Sequence, residues 1–538
     1  MPLLSDKSVI RRLMSLMQAH GVTRCVLCPG SRNAPLTASF SDLFECRNAT
    51  DERSAGFAAL GWAAQSGEPV AVCVTSGSAL LNLHPAVAEA YYRCVPLLVI
   101  SADRPAAMVG QQDGQTLPQP GAFGPLVRYA AQVPEEEALY SNRLINEALL
   151  ALRAEGGGPV HLNLPLSEPF FGMSEGELPA ERVIRRSEIG DTAELTSLLA
   201  RHPRRLLLAG QLPQDNVLPL PPTPFWQSCA VAGDHLSPAR QLAGCTLLPP
   251  DGPVAALGED EAAAFVPDIL ITFGGCIVSK HLKALFRKHA PREHWHISPD
   301  GAAVDTFGCL TRILKGDASD FLRLFGDAPA GDTAFAERWR SLTHPQNAPG
   351  SPHGYNAATL VSNTLRALPP QSVLHLANSS ALRYADMCPI PPEMRVECNR
   401  GVNGIEGSLS AAVGFASGDE RLNLLIIGDL SFFYDMNALW LPDIRPNLRI
   451  LLLNNGSGSI FKALPGIPQA SAVCAPHTGT AAAWAKSCGF TVLRVSDAAS
   501  WQQALPQLLA PNAPAPVLVE AITNADADAA AYRALLRD

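Results

Sequence analysis

Asp429, in Gly428-Asp429-Leu430-Ser431, and Asn455, 26 positions later in Asn454-Asn455-Gly456, offer a carboxylate and an amide oxygen. With a main-chain carbonyl these are hard oxygen donors, suited to a Mg²⁺ ion that keeps a water and binds two phosphate oxygens. Taken alone, each reads as an ordinary Gly-Asp or Asn-Gly turn. Their placement joins them. Leu422–Ile427 is nearly all Leu and Ile and reads as a buried strand ended by Gly428, and Arg449–Leu453 reads as a second such strand. Neighbouring parallel strands would set both side chains at their C-terminal ends, the edge where open α/β sheets bind ligands.

Other chemistry-bearing residues sit at similar junctions. Ser8–His20 reads as a helix and Arg24–Cys28 as a strand, after which Pro29-Gly30-Ser31-Arg32-Asn33 turns into a helix. Main-chain N–H groups at that helix start, with Arg32, would make an anion pocket; a capped turn with Arg32 in water is the other reading. Glu52 stands at the start of a small-residue helix, Ser54–Gln65, where a carboxylate is favourable in any case. Strands are expected at Val70–Val74 and Pro96–Ser101, with a Thr75–Ser78 turn and a helix to Tyr92 between them. "DERSAGFAALGWA" from Asp51 compares with "GIEGSLSAAVGFA" from Gly404, each followed by strand, turn, helix and strand. This repeat predicts two related α/β domains flanking a third.

The chain has 538 residues, 47% hydrophobic and 17% charged, which predicts three domains, at 1–180, 181–345 and 346–538. A net charge of −9 argues against nucleic acid or anionic membrane as partner. The longest uncharged run, Pro69–Ala88, is broken by polar residues, so no membrane span is expected. Thirteen scattered cysteines suggest a reducing cytoplasm. Cys25 and Cys28 form a CxxC within a strand, where positions three apart face opposite ways, so a structural role is expected. In the middle region, strands are expected at Arg205–Leu208, Asp268–Phe273 and His294–Ser298, with a basic helix from Ser279 to His289. His281, His294 and His296 lack an acidic or Cys partner at ligand spacing, so structural roles are expected for them too. Residues 341–353 read as the linker to the last domain, which opens with a strand at Ser372–Leu376.

A Gly-Asp pair followed 25 to 30 residues later by Asn-Asn after such strands resembles the diphosphate–Mg²⁺ motif of thiamine-diphosphate enzymes. The resemblance implies three open parallel-sheet α/β domains: pyrimidine-binding, middle and diphosphate-binding. It implies thiamine diphosphate as cofactor, with Mg²⁺ (or Mn²⁺) held by Asp429, Asn455 and the carbonyl of Ser457. Glu52 would then hydrogen-bond the aminopyrimidine at N1′, and Ile405 would hold the cofactor bent in a V. The cofactor would lie between the first domain of one subunit and the last of another, making a homodimer the smallest active unit and a homotetramer common.

The strings "CPGSRNAPL", "TDERSAGF", "ISADRP", "GGCIVSKHL", "NSSALR", "NRGVNGIEGSLS", "GDLSFFYDMNAL" and "NNGSGSIFKALP" extend the likeness over residues 28 to 465. They resemble the branch of menaquinone biosynthesis in which 2-oxoglutarate is decarboxylated and the resulting carbanion adds to isochorismate. Leu430, in place of the commoner second Gly, fits that branch. The resemblance implies catalytic roles for Ser31, Arg32, Glu52 and Gln115. Cofactor contacts would come from Glu52, Ser379, Ile405, Asp429, Leu430, Ser431, Asn455 and Ile460. Two dicarboxylate substrates call for several cations, preferably guanidiniums. Arg32, Arg104, Lys280, His281, Arg383 and Arg400 match those positions, with Gln115 and Ser379 as polar contacts and Ile460, Phe461 and Leu464 as an apolar wall. His281 departs from the usual Arg. It is shorter and mostly neutral at pH 7, which implies weaker or pH-dependent recognition of one carboxylate, or Lys283 in its stead. Rival readings are another thiamine-diphosphate 2-oxoacid decarboxylase or acetolactate-type synthase, and a non-catalytic diphosphate-binding protein.

Overall fold

The computed structural model describes residues 1–154, 157–212, 223–241, 246–247, 253–342, 354–401, 403–441, 444–463, 466–467 and 471–535. The chain divides into two compact units, one of residues 1–187 with 303–313, the other of 188–302 with 314–538.

The first unit holds a six-stranded sheet in the order Glu45–Asn48, Arg24–Leu27, Val70–Val74, Leu97–Asp103, Val160–Pro165, Tyr129–Gln132, parallel throughout. Alternate side chains feed two cores. Cys25, Leu27, Ala71, Cys73, Leu98 and Ile100 face one, while Val26, Cys28, Val70, Val72, Val74 and Val99 face the other. Cys25 and Cys28 therefore lie on opposite faces, as their spacing in a strand requires. The helix expected at Ser54 starts at Glu52 and runs to Ser66, because the Asp51 carboxylate caps it by accepting from the Arg53 N–H. The single helix expected before Tyr92 is two, Ser78–Leu81 and His84–Tyr92, the second with a proline in its first turn.

The second unit holds two sheets. One includes, in order, Thr246–Leu247, Ala230–Gly233, Arg205–Ala209, Ile269–Phe273 and Glu293–Ser298, all parallel. The basic helix spans Lys280–Lys288 and is capped by Ser279, whose hydroxyl accepts from the Leu282 N–H. His294 and His296 share one strand face, and both ring nitrogens lie 2.9 Å from the Thr272 hydroxyl, a structural pairing. The expected linker at 341–353 lies almost wholly outside the described residues.

The other sheet runs Arg395–Cys398, Val373–Leu376, Asn423–Gly428, Leu448–Asn454, Val517–Ile522, Thr491–Val495, again parallel. Numbered along the chain within each sheet, its order is the same as that of the first unit's sheet, the structural counterpart of the internal repeat. Asn423–Gly428 and Leu448–Asn454 are its centre, and every residue of the second is buried. A parallel strand covered on both faces has no use for alternation, which is why Leu424–Ile427 and Ile450–Leu453 within them read as unbroken apolar runs. Burying each such Leu or Ile is worth about 1.5–3 kcal/mol. The register sets Gly428 opposite Leu453, so Asp429 and Asn455 leave adjoining strands at the same edge. The segment repeated at Gly404 is helical over Ser408–Ser417, entered through Gly407 at φ 77°.

Candidate active site

At that edge Asp429 is the first residue of a short helix, Asp429–Tyr434, and is 4% exposed. Its Oδ1 accepts from the Leu430 N–H at 2.7 Å, and its Oδ2 from the Asn455 and Gly456 N–H groups at 3.1 and 2.8 Å. His477 Nε2 lies 3.3 Å from Oδ2 without hydrogen-bond geometry. Burial pushes the Asp429 pKa up, and the N–H donors pull against it. Asn455 donates through Nδ2 to Ser459 Oγ at 3.0 Å and Asp528 Oδ2 at 2.9 Å, and its Oδ1 accepts from the Ser457 N–H at 3.1 Å. Gly456 turns the chain at φ 72°, and a Cβ there would stand 2.8 Å from the His477 carbonyl oxygen. Ser457 is buried, with no hydrogen-bond partner for its hydroxyl.

A cleft with about 630 Å³ of open space begins here, bounded by Ser379, Ile405, Asp429, Leu430, Ser431, Asn455, Ser457, Ile460 and Phe461. Among the described residues no cluster of three His, Cys, Asp or Glu side chains could hold a metal. Ser379 opens the helix Ser380–Asp386 at φ 74°, a left-handed conformation for a side-chain-bearing residue. The Ser431 hydroxyl donates to the Ile405 carbonyl, fixing the backbone of the loop that presents Ile405.

Arg400 and Arg383 border the same loops. Arg400 donates through Nη1 to Asn378 Oδ1 at 2.9 Å and has a buried Nε without a partner. Arg383 donates to the Tyr532 hydroxyl at 3.3 Å. Lys280 and His281 are exposed in the first turn of their helix, while the Lys283 ammonium donates to the Ile277 carbonyl at 2.6 Å. Leu464 lies outside the described residues. Asn378 was not singled out from sequence, yet its amide donates to the carbonyls of Asn399 and Gly404 at 2.7 and 2.6 Å and so ties its own loop to the connection that follows the strand Arg395–Cys398. Its place in "NSSALR" was the only signal.

In the first unit, Arg32 is 4% exposed. It donates to the Leu166 carbonyl at 3.1 Å and to Glu168 at 3.3 Å, and its guanidinium lies 4.6 Å from the Phe170 ring centre. Burial, then the nearby Arg104, lowers its pKa. Ser31, beside it, is exposed. Glu52 is half-buried, its carboxylate accepting from the Asn82 amide at 3.1 Å. Arg104 donates to the Gly114 carbonyl at 2.9 Å and so holds the loop of Gln115, which sits at φ 58°. A buried network that sequence did not reveal supports this loop. Gln119 accepts from the Gly77 N–H at 2.7 Å and donates to Asn163 at 2.7 Å, and Asn163 donates to Asp103 at 2.8 Å. Burial raises the Asp103 pKa.

Residues 7–122 match the family described as "Thiamine pyrophosphate enzyme, N-terminal TPP binding domain". With three parallel sheets, the fold and this match define a thiamine pyrophosphate enzyme. The chain is 45% identical over 543 residues to the 2-succinyl-5-enolpyruvyl-6-hydroxy-3-cyclohexene-1-carboxylate synthase of Bacteroides thetaiotaomicron, covering 98% of this chain and 97% of that one. It is 44% identical to the enzyme of the same name from Phocaeicola vulgatus, with 98% of both chains covered. The Desulfotalea psychrophila enzyme of that name is 38% identical, over 83% of this chain and 85% of its own. The chain belongs to this family of synthases. Among the described residues no helix is long and apolar enough to cross a membrane.

Proposed function

We propose that this chain decarboxylates 2-oxoglutarate and joins the remaining four-carbon unit to isochorismate, releasing CO₂ in a step of menaquinone biosynthesis. The observation that carries the reading is the meeting of Asp429 and Asn455 at adjoining strand tips, in a cleft lined by Ser379, Ile405 and Ile460.

The residues there fit thiamine diphosphate with a divalent cation. No cluster of three acidic, His or Cys side chains is at hand among the described residues, so a cation at this pole needs oxygens of other kinds. Asp429, Asn455 Oδ1 and the Ser457 carbonyl are such oxygens, and we assign them to Mg²⁺, with Mn²⁺ as a substitute. When bound, the cofactor supplies a nucleophilic carbon and an electron sink for decarboxylation. Glu52 would exchange a proton with the pyrimidine ring, and Ile405 would pack against the cofactor when it is bound. Leu430 and Ser431 flank the diphosphate. Arg32, Arg104, Arg383, Arg400 and Lys280 meet the substrates' carboxylates, with Ser31, Gln115 and Ser379 as polar contacts. Lys283, whose ammonium donates to the Ile277 carbonyl and keeps two further N–H donors, is the alternative to His281 for that carboxylate. Ile460, Phe461 and Leu464 keep the reacting carbon in low polarity, which favours a step that neutralises charge.

The family resemblance further supports a homodimer or homotetramer with sites at the interface, and a cytoplasmic enzyme. The deciding experiment supplies thiamine diphosphate and Mg²⁺ with 2-oxoglutarate and isochorismate, or with pyruvate alone, and follows CO₂ and product. Turnover is expected only with the first pair; turnover of pyruvate alone overturns the assignment.

A further inference from the structure

A carboxamide can be seated either way round, and at Asn455 the choice decides whether an oxygen or a nitrogen is offered to a cation. Its Nδ2 donates to Asp528 Oδ2 at 2.9 Å, and its Oδ1 accepts from the Ser457 N–H at 3.1 Å. An ionised carboxylate only accepts and a main-chain N–H only donates. Turning the amide over would set its oxygen against the carboxylate and its NH₂ against the N–H, replacing two bonds with two repulsions. Ser459, the other partner at 3.0 Å, cannot enforce the choice, because a hydroxyl both donates and accepts.

Asp528 is itself held rigidly. It is fully buried, its Oδ1 accepting from the Ala357 N–H at 2.8 Å and its Oδ2 from the Thr523 hydroxyl at 2.7 Å. It lies near the start of the helix Ala525–Leu535. That helix is tied to Ser459–Ala463, the helix after the Asn455 turn. Lys462 pairs with Asp526 at 2.8 Å, and Arg533 donates to the Lys462 carbonyl at 2.7 Å.

We propose that Asp528 is a positioning residue for the cation pole: its carboxylate fixes the Asn455 amide so that oxygen, not nitrogen, is the end left for a divalent cation. This rests on the reading of Asp429 and Asn455 as cation ligands. The test titrates Mn²⁺ into the full chain with saturating thiamine diphosphate and counts free Mn²⁺ by paramagnetic resonance, with circular dichroism as the check on folding. Asp528→Asn leaves one oxygen to serve both the Ala357 N–H and the Asn455 amide, so either seating sets an NH₂ against one of those donors and loosens the hold on Asn455, and the Mn²⁺ dissociation constant is expected to rise about ten- to a hundred-fold. Asn455→Asp alone opposes two carboxylates and is expected to weaken binding as well. The double variant N455D/D528N restores one donor facing one acceptor, with an oxygen free for the cation, and is expected to recover affinity. A purely structural role would not produce that recovery. Wild-type affinity in D528N, or a double variant no better than N455D, overturns the proposal. Should D528N fail to fold, the comparison of N455D with the double variant decides alone. Asp429→Ala separates the two readings. Loss of Mn²⁺ there with wild-type affinity in D528N overturns only the role of Asp528, whereas undiminished binding in D429A overturns the cation site and this inference with it.

Discussion

At the scale of single residues, the assigned chemistry divides between holding and reacting. Asp429 and Asn455 sit where they can only hold, fenced by main-chain N–H groups. Under the proposed function Glu52, half-buried with the Asn82 amide on its carboxylate, is the residue that passes a proton. Glu52→Gln keeps the shape and removes the proton, so kcat is expected to fall by about 10²-fold or more, while Mg²⁺-dependent thiamine diphosphate affinity stays within a few-fold of wild type. Calorimetric titration beside steady-state rates checks this; activity near wild type contradicts it. Asp429 and Asn455 were legible because each directly follows an apolar run. Asp528, Asn378 and Gln119 were not, because each acts on residues that only the fold brings near, Asp528 on one 73 positions away. A lone buried Asp, Asn or Gln carries no periodic mark.

At the scale of elements, the turn after the strand Leu448–Asn454 is the least forgiving part. Gly456 has φ 72°, and a Cβ there would stand 2.8 Å from the His477 carbonyl oxygen, closer than side chains come. The His477 N–H donates back to the Gly456 carbonyl at 2.8 Å, so the two segments are laced together. Gly456→Ala is expected to cost about 1–3 kcal/mol of stability from the strained backbone and to displace Asn455. A lowered melting temperature together with weaker thiamine diphosphate binding is the expected result; an unchanged pair of values contradicts it. The central pairs Val70–Val74 with Leu97–Asp103 and Asn423–Gly428 with Leu448–Asn454 were readable to within a residue or two from their apolar runs, whereas Val160–Pro165 and Val517–Ile522, buried but interrupted by His161, Asn163 and Glu520, were not. Edge strands escaped notice. Glu45–Asn48 and Thr491–Val495 are mostly polar or partly exposed, and only pairing with Arg24–Leu27 and Val517–Ile522 makes them strands.

At the scale of the whole molecule, histidines set the response to acid. Burial lowers the pKa of His161, His235 and His296 to about 4 from an ordinary 6.5. Between those values the unfolded chain takes up protons that the folded chain refuses. Each therefore contributes stability above the unfolded value and loses about 1.4 kcal/mol per pH unit as pH falls from about 6.5 toward 4. Buried acids with raised pKa values, such as Asp103 and Asp234, act in the opposite sense, favouring the fold at low pH and losing that contribution as pH rises through their raised values. A single substitution isolates the histidine part. The melting temperature of His161→Gln, followed by calorimetry from neutral pH downward, is expected to fall less steeply than that of wild type; parallel curves contradict this.

The pairing of Gly428 with Leu453 has a last consequence. The proposed grip on the cofactor is fastened to the central pair of strands in its sheet, so it has no private melting point. Amide protons of Ile450–Leu453 should trade with solvent only when the sheet itself opens. Denaturant should then release thiamine diphosphate in one abrupt step with the collapse of that core, not by gradual loosening.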